Sequence, residues 1–523
     1  MTRFLIGTTF SPVSMGTTTL HSFPLRRGPS MRWIVSVGRA VLAAAAVSMF
    51  AIPAAFAQGV TTGAIAGIVS DSTGGGPLDG ARVVAVHGPS GTTYAAVTRA
   101  DGRFTIPGMR VGGPYRVSAS RVGYRQEVQN GVTVTLGVTS DLQFRLAQAS
   151  VQLDPVTVVT TTGAVFSAGR TGAATTVSTD QLQHLPTISR KVEDLLRLTP
   201  QYSGISQPSS SGAFSFVSFA GQDNRLNNMT IDGSYFNNSF GLGGQPGDRT
   251  GVAPISLDAL EQIQVNIAPY DVRQGNFVGA GINMVTKSGT NQFTGSAFYN
   301  SRSNSFVGTQ AGPNTFKPGT FQYHDVGIAL GGPIIKNRLF FFGSFEDDAN
   351  TAPGTTFRAT TGAPGDTGSN VTRVLASDLD ALSAYLQSKF SYTTGPYQNY
   401  DFKTPSRRFI ARLDYNLNDH NKISVRYNLL NSETPVLLSN SASLGLGNRR
   451  SNLTSLNFAN SNYAILENLR SIVGEWNSNF GNKANNLIVG YNTSDESRKN
   501  VDGPWFPLVE ILSGPNQPNY TTF

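Results

Sequence analysis

The sequence predicts a mainly β protein with three parts. A small β-sandwich comes first, then an α/β segment, then strands of an antiparallel transmembrane β-barrel. Short β-branched runs with glycine-rich breaks crowd residues 61–147. Helix-start signals and a glycine-dense strand pair follow in 178–290. From Gln292 onward, apolar and polar residues alternate over stretches as long as a tilted membrane strand. Only 14% of the 523 residues are charged, and no apolar run after residue 58 reaches the length of a spanning helix. A membrane protein of this composition has to cross with strands. The absence of cysteine excludes a disulfide framework and thiolate metal sites. The formal charge of +8 is scattered, without a basic run or a nucleic-acid-binding motif, so no nucleic acid is expected as a partner.

Residues 31–58 have the three parts of an export signal. Arg32 and Arg39 form a basic head, Ala40 to Ile52 an apolar core, and Ala55-Phe56-Ala57 a small-x-small site. Cleavage is expected between Ala57 and Gln58, with Met31 as the initiator and residues 1–30 an over-extended start. The mature chain is then periplasmic or in the outer membrane.

Residues 58–150 hold seven short β runs: AIAGIVSD, ARVVAVHG, TYAAVTRA, RFTIPGM, YRVSASRVGY, VTVTLG and DLQFRL. Seven such runs point to a sandwich. Gly67 to Asp71, Gly80-Ala81, Thr98 with Asp101-Gly102-Arg103-Phe104, Pro114-Tyr115 and Gly123-Tyr124 resemble the carboxypeptidase regulatory-like domain. That resemblance implies a transthyretin-like β-sandwich, a non-catalytic appendage used for partner or glycan contact or as a spacer. The five histidines form no HxxE or HExxH arrangement, so a zinc peptidase site is not expected.

In residues 164–290, Ser178-Thr179-Asp180-Gln181 fits a capping box. Ile188, Val192, Leu195 and Leu196 follow at the spacing of one helix face, with Ser189 as a cap and Pro200 beyond. His184, beside Leu182 and Leu185, suits a structural role. Ile231 to Gly233 reads as a strand end and a turn. In LEQIQVNI, apolar Ile263, Val265 and Ile267 alternate with Gln262, Gln264 and Asn266, the period of a half-buried strand. GNFVGAGINMVTKSGTNQF then supplies a glycine-dense turn, an apolar strand and a break. This order resembles the plug domain of TonB-dependent outer-membrane receptors. The resemblance implies matched positions for Arg225 and Asp232, as an internal ion pair or as a transport switch. It also makes the polar loops SQPSSSGAFSF and FNNSFGLGGQPGDRTG candidates for ligand contact.

The linker 151–163 contains Asp154, Pro155, Val156, Thr157, Val158, Val159 and Thr160, a β-branched run with no evident partner of its own. It resembles a TonB box. Such a segment adds one strand to an edge of TonB, and Pro155 would end the ladder.

Residues 291–523 are expected to begin the barrel. Phe409, Ala411, Leu413, Tyr415 and Leu417 alternate with polar or lumen-side residues, as do Ile423, Val425, Tyr427 and Leu429. A tight turn, Asn418 to Asn421, separates the two runs. GGPIIKNRLFFFGSFEDD gives another hairpin, turning at Lys336-Asn337, and is similar to the Oar-like branch of these receptors. Seven strands are counted in all, with short turns at 336 and 419 and long segments at 346–406 and 431–468. Long loops belong outside the cell and short turns in the periplasm. A plugged transporter barrel takes about 22 strands, so the chain is expected to be the N-terminal part of a longer receptor.

The resemblance implies uptake of a scarce, unidentified substrate across the cell outer membrane. The expected partners are TonB with its inner-membrane motor proteins, and outer-membrane lipid. No cofactor, metal site or catalytic constellation is expected, so the chain is not read as an enzyme. The alternative is a surface adhesion or matrix-organising protein that uses the barrel as an anchor.

Overall fold

The computed structural model describes residues 60–148, 157–159, 173–187, 190–209, 212–237, 245–269, 274–315, 319–439, 449–480, 483–500, 506–513 and 519–522. The export signal, with Ala57 and Gln58, lies outside the described residues, as do Asp154, Pro155, Val156 and Thr160.

The sandwich has the seven expected strands: β1 (Gly63–Asp71), β2 (Arg82–His87), β3 (Thr93–Val97), β4 (Arg103–Met109), β5 (Gly112–Ser120), β6 (Glu127–Val134) and β7 (Thr139–Leu146). One sheet runs β4-β1-β7 and the other β3-β2-β5-β6. Alternate side chains of each strand meet between them, with Ile65, Val83, Ile106, Val117 and Phe144 fully buried. The second sheet gains one more strand, β8 (Thr157–Val159), which pairs in parallel with Val128 to Asn130 of β6. The β-branched run therefore has a partner. The edge of β6 is free to pair, and an extended segment satisfies it.

His87 is buried in this domain, its ring 4.9 Å from that of Tyr115 and its Nδ1 2.7 Å from the Ser90 hydroxyl. Burial, with the Arg110 charge nearby, pushes its pKa down from 6.5 to about 3. The unfolded chain binds a proton below pH 6.5 that the folded domain refuses. Stability is thus full above that pH and falls between 6.5 and 3, by about 1.4 kcal/mol per pH unit at the steepest. Urea midpoints of a 58–163 fragment should show this slope, and His87→Gln should flatten it.

The α/β segment is built on a mixed five-stranded sheet. Its strands are β9 (Ala174–Val177), β12 (Asn228–Ile231), β13 (Ser234–Tyr235), β14 (Leu260–Asn266) and β15 (Gly281–Thr286), in the order β13-β12-β15-β14-β9. A separate hairpin joins β10 (Ile205–Ser209) to β11 (Gly212–Phe216) and contains most of the first candidate ligand loop. Helix α1 (Thr179–His184) opens with the expected capping box, Ser178 and Gln181 bonding each other's backbone. His184 is exposed and lies 3.1 Å from Asp180. Helix α2 (Val192–Leu196) is shorter than the sequence suggests and starts after Lys191. Ile188 and Ser189 lie outside the described residues. β14 is buried on both faces, not half-buried as its alternation implies.

Seven long strands form one antiparallel meander: β16 (Thr294–Ser303), β19 (Gln322–Ile335), β20 (Leu339–Pro353), β23 (Asp401–Asn416), β24 (Asn421–Val436), β25 (Tyr463–Phe480) and β26 (Lys483–Asn500). Among the described residues the sheet does not close. The small hairpin β17 (Gln310–Ala311) and β18 (Asn314–Thr315) sits between the first two. Ile328, Leu413, Val425 and Ile472 face outward, while Arg408, Arg426, Asn428 and Glu467 are buried on the inner face. This is the expected register.

The strands run further than their alternation, which shortens both long loops. Residues 354–400 are not an irregular loop. They hold β21 (Arg358–Thr360), β22 (Val371–Leu375) and an unanticipated helix, α3 (Ala376–Phe390). Leu379, Leu386, Tyr392, Leu456 and Phe458 form a separate apolar core there. A last hairpin pairs β27 (Glu510–Ser513) with β28 (Asn519–Thr522).

Candidate functional site

The α/β segment cannot bury its own apolar face alone. Its core of Val192, Leu196, Phe219, Ile231, Ile263, Val265 and Met284 is completed by Ala329, Phe342, Ile410, Leu430 and Leu469 from the inner face of the barrel sheet. It is therefore a plug held against a wall, and polar contacts decide how it is seated.

The strongest contact is at Asp232. β12 ends at Ile231, and Asp232 (φ 45°) with Gly233 (φ 73°) makes a left-handed turn. Aspartate and asparagine tolerate that backbone better than most residues. The turn brings the carboxylate to β15, where Thr286 donates to it from its amide at 2.9 Å and its hydroxyl at 2.8 Å. Two motifs far apart in sequence, IDG and VTKSG, are joined in this way. Two barrel arginines complete the site. Arg412 donates from a terminal nitrogen at 3.2 Å, and to Thr286 as well. Arg426 Nε lies 2.8 Å away as an ion pair outside hydrogen-bond angles. Arg412 is also held by Asp414 at 2.9 Å, and Arg426 by the Ile231 carbonyl and the Ser471 hydroxyl.

Elsewhere the polarity is reversed, with plug cations meeting wall carboxylates. Arg249 pairs with Glu496 at 2.8 Å, and its amide donates to Glu467. Arg190 reaches Asp258 of the plug at 3.1 Å and Asp325 of the wall at 3.8 Å, with its guanidinium 3.9 Å above the Phe298 ring. Wall residue Arg408 is held by its neighbours Glu346 and Asp348 and donates to the plug carbonyl of Ala253. Within the plug, Gln245 bonds Glu193, whose carboxyl is pushed up by burial. The seat is thus a set of ion pairs and hydrogen bonds around a shared apolar patch. Such contacts can break and re-form without covalent change.

Arg225 and Asp232 do not meet. Arg225 is exposed and pairs with Asp223, two residues back in the same short turn, at 2.8 Å. A local carboxylate outcompetes a distant one, and the Asp232 side chain is already engaged by the wall. Of the candidate energy-coupling strand, only Thr157, Val158 and Val159 are described, as β8. Sequence reasoning missed Arg412 and Arg426, although both sit at lumen-side positions of the hairpin it identified.

Three family models match successive stretches of the chain. They are the carboxypeptidase regulatory-like domain over residues 64–147, the TonB-dependent receptor plug domain over 168–282, and an outer membrane beta barrel domain over 285–520. The chain is similar to the TonB-dependent transporter Oar of Myxococcus xanthus, with 26% identity over 307 residues, 56% of this chain and 27% of that protein. It is also similar to the solved outer membrane transporter YddB from Escherichia coli, with TM-score 0.44 and 10% identity, covering 67% of this chain and 42% of that one. A third likeness is to the siderophore receptor PirA from Acinetobacter baumannii, with TM-score 0.38, 12% identity, and coverage of 67% and 47%. The chain spans about a quarter of the length of Oar and under half of each solved structure. With a regulatory-like sandwich, a plug and an outer-membrane barrel sheet in that order, the chain belongs to the TonB-dependent receptors of the Gram-negative outer membrane.

Proposed function

We propose that the protein is an active transporter. It takes a scarce substrate through the barrel when TonB, energised by its inner-membrane motor proteins, displaces the plug. The observation that supports this best is the plug whose core is finished by the barrel wall and whose polar contacts are all reversible. Such a seat is firm at rest and yields to a pull. No covalent chemistry is needed.

The pull is assigned to residues 154–160, ahead of the plug. Their pairing with TonB would be β-augmentation, in which backbone hydrogen bonds supply most of the affinity. Support comes from β8, since Thr157–Val159 already forms a ladder with β6. Thr157→Ala should therefore change TonB binding little. Val158→Pro removes a donor and fixes φ, and should abolish it. The sandwich core is made by β1 to β7, so folding should survive both changes.

Binding of the detergent-solubilised full-length receptor to a TonB C-terminal domain checks this, with protease protection of the sandwich and plug as the folding control. A proline variant that binds like the parent would place the box elsewhere. In cells, dissipating the proton-motive force should stop uptake. A surface adhesin using the barrel as an anchor would work equally well without it.

A further inference from the structure

The sandwich touches both the plug and the barrel, through one stretch of free backbone and several side chains. The backbone of Leu136 is gripped at both its N–H and its carbonyl by the plug strand β14. Its N–H donates to Gln262 Oε1 at 3.0 Å, and its carbonyl accepts from Gln264 Nε2 at 2.5 Å. Both glutamines are buried, and Asn266 donates to Gln264 Oε1, which fixes the amide's orientation. Gly137 next door has φ 65°, and a Cβ there would lie 2.8 Å from Gln264. Only glycine lets the loop come this close.

A second grip comes from Arg110. Its guanidinium donates to the carbonyls of Ser288 and Gly289, at 3.2 and 3.3 Å, where the plug passes into the barrel. Tyr94 and Tyr115 hold the Arg110 backbone in place by their hydroxyls. Val60, Val111 and Leu136 of the sandwich pack on Val285 of the plug. The barrel rim is engaged as well. Thr61 donates to Glu475, Asn416 donates to the Thr92 hydroxyl at 2.9 Å, and Lys422 lies 4.6 Å from the centre of the Tyr94 ring. A cavity of about 70 Å³ remains at this three-way junction, with Arg110, Glu261 and Arg412 among its lining residues. It has room for water, so separation at this junction need not begin from a dry, sealed joint.

We infer that the sandwich is a latch on the plug. Its Arg110 and Leu136 loops clamp the plug sheet to the barrel rim at rest, and the domain has to lift off before the plug can leave. This holds whichever segment receives the pull, so it stands apart from the assignment of residues 154–160.

The test uses the full-length protein. In Gln262→Ala/Gln264→Ala, amide exchange at Leu136 and across 108–113 should accelerate at least tenfold, while Ile65, Val117 and Phe144 inside the sandwich keep their rates. In planar bilayers, the urea concentration needed to open conductance should fall for this variant. It should rise when Thr92→Cys/Asn416→Cys is cross-linked, and return on reduction. The 523 residues contain no cysteine of their own. Arg110→Met attacks the latch from the sandwich side and should repeat the result if the glutamine variant fails to fold. Unchanged exchange at Leu136, failure of the cysteine pair to cross-link, or one common urea midpoint for parent, loosened and cross-linked forms would each overturn the latch.

Discussion

Asp232→Asn is expected to unseat the plug by about 3–5 kcal/mol, the cost of removing one partner from a buried ion pair. Arg412 and Arg426 are direct cross-strand neighbours on β23 and β24, with Arg426 buried and the Arg412 side chain only 10% exposed. Like charges in that position repel, and the Asp232 carboxylate touches both. Without it, Arg412 keeps Asp414, but among the described residues Arg426 keeps only a carbonyl and a hydroxyl. Asparagine preserves the volume and the left-handed turn, so the loss is one of charge rather than backbone strain. Protease protection of the plug against urea, in outer-membrane vesicles, should show a clearly lower midpoint. Asp232→Asn/Arg426→Gln should recover much of it, since the uncompensated charge is then gone. Protection equal to the parent in the single variant would mean that this cluster does not hold the plug.

Much of this site is legible in the sequence, given one step that the alternation alone does not supply. The turn at Asn418 to Asn421 fixes the hairpin register, and that register sets Arg412 opposite Arg426. Two arginines facing each other inside a barrel require a nearby anion. Asp414 serves Arg412 locally, but nothing local names the anion shared with Arg426, because Asp232 is 180 residues from Arg412. The burial of β14 was hidden for a similar reason. Gln262 and Gln264 look like a solvent face until the sandwich covers them with the Leu136 peptide. Helix α3 had a signal, with Leu379, Leu382 and Leu386 at helical spacing, but it sits where barrel topology suggests an open loop. Local pattern gave strand identity and facing. What it could not give were contacts made by one domain upon another.

Leu413→Arg should impair barrel assembly by about 2–4 kcal/mol if the residue lies near the bilayer midplane, where a lipid-facing cation is most costly. Its neighbours support the lipid-facing side. On β23 it lies between Phe409 and Leu417 on the outward side, with Phe341 and Val425 directly across. Asn416→Arg is the control. Asn416 sits at the periplasmic end of the strand, bonded to Thr92 and to the Asn337 carbonyl, so this change should loosen the rim while sparing assembly. The heat-modifiable shift of the folded barrel on a gel separates the two. Because side chains alternate, a register wrong by one residue would turn Leu413 inward and send Arg412 into lipid. Equal impairment by both substitutions would therefore reject the facing of β23, and with it the pairing of Arg412 and Asp232 on which the plug seat depends.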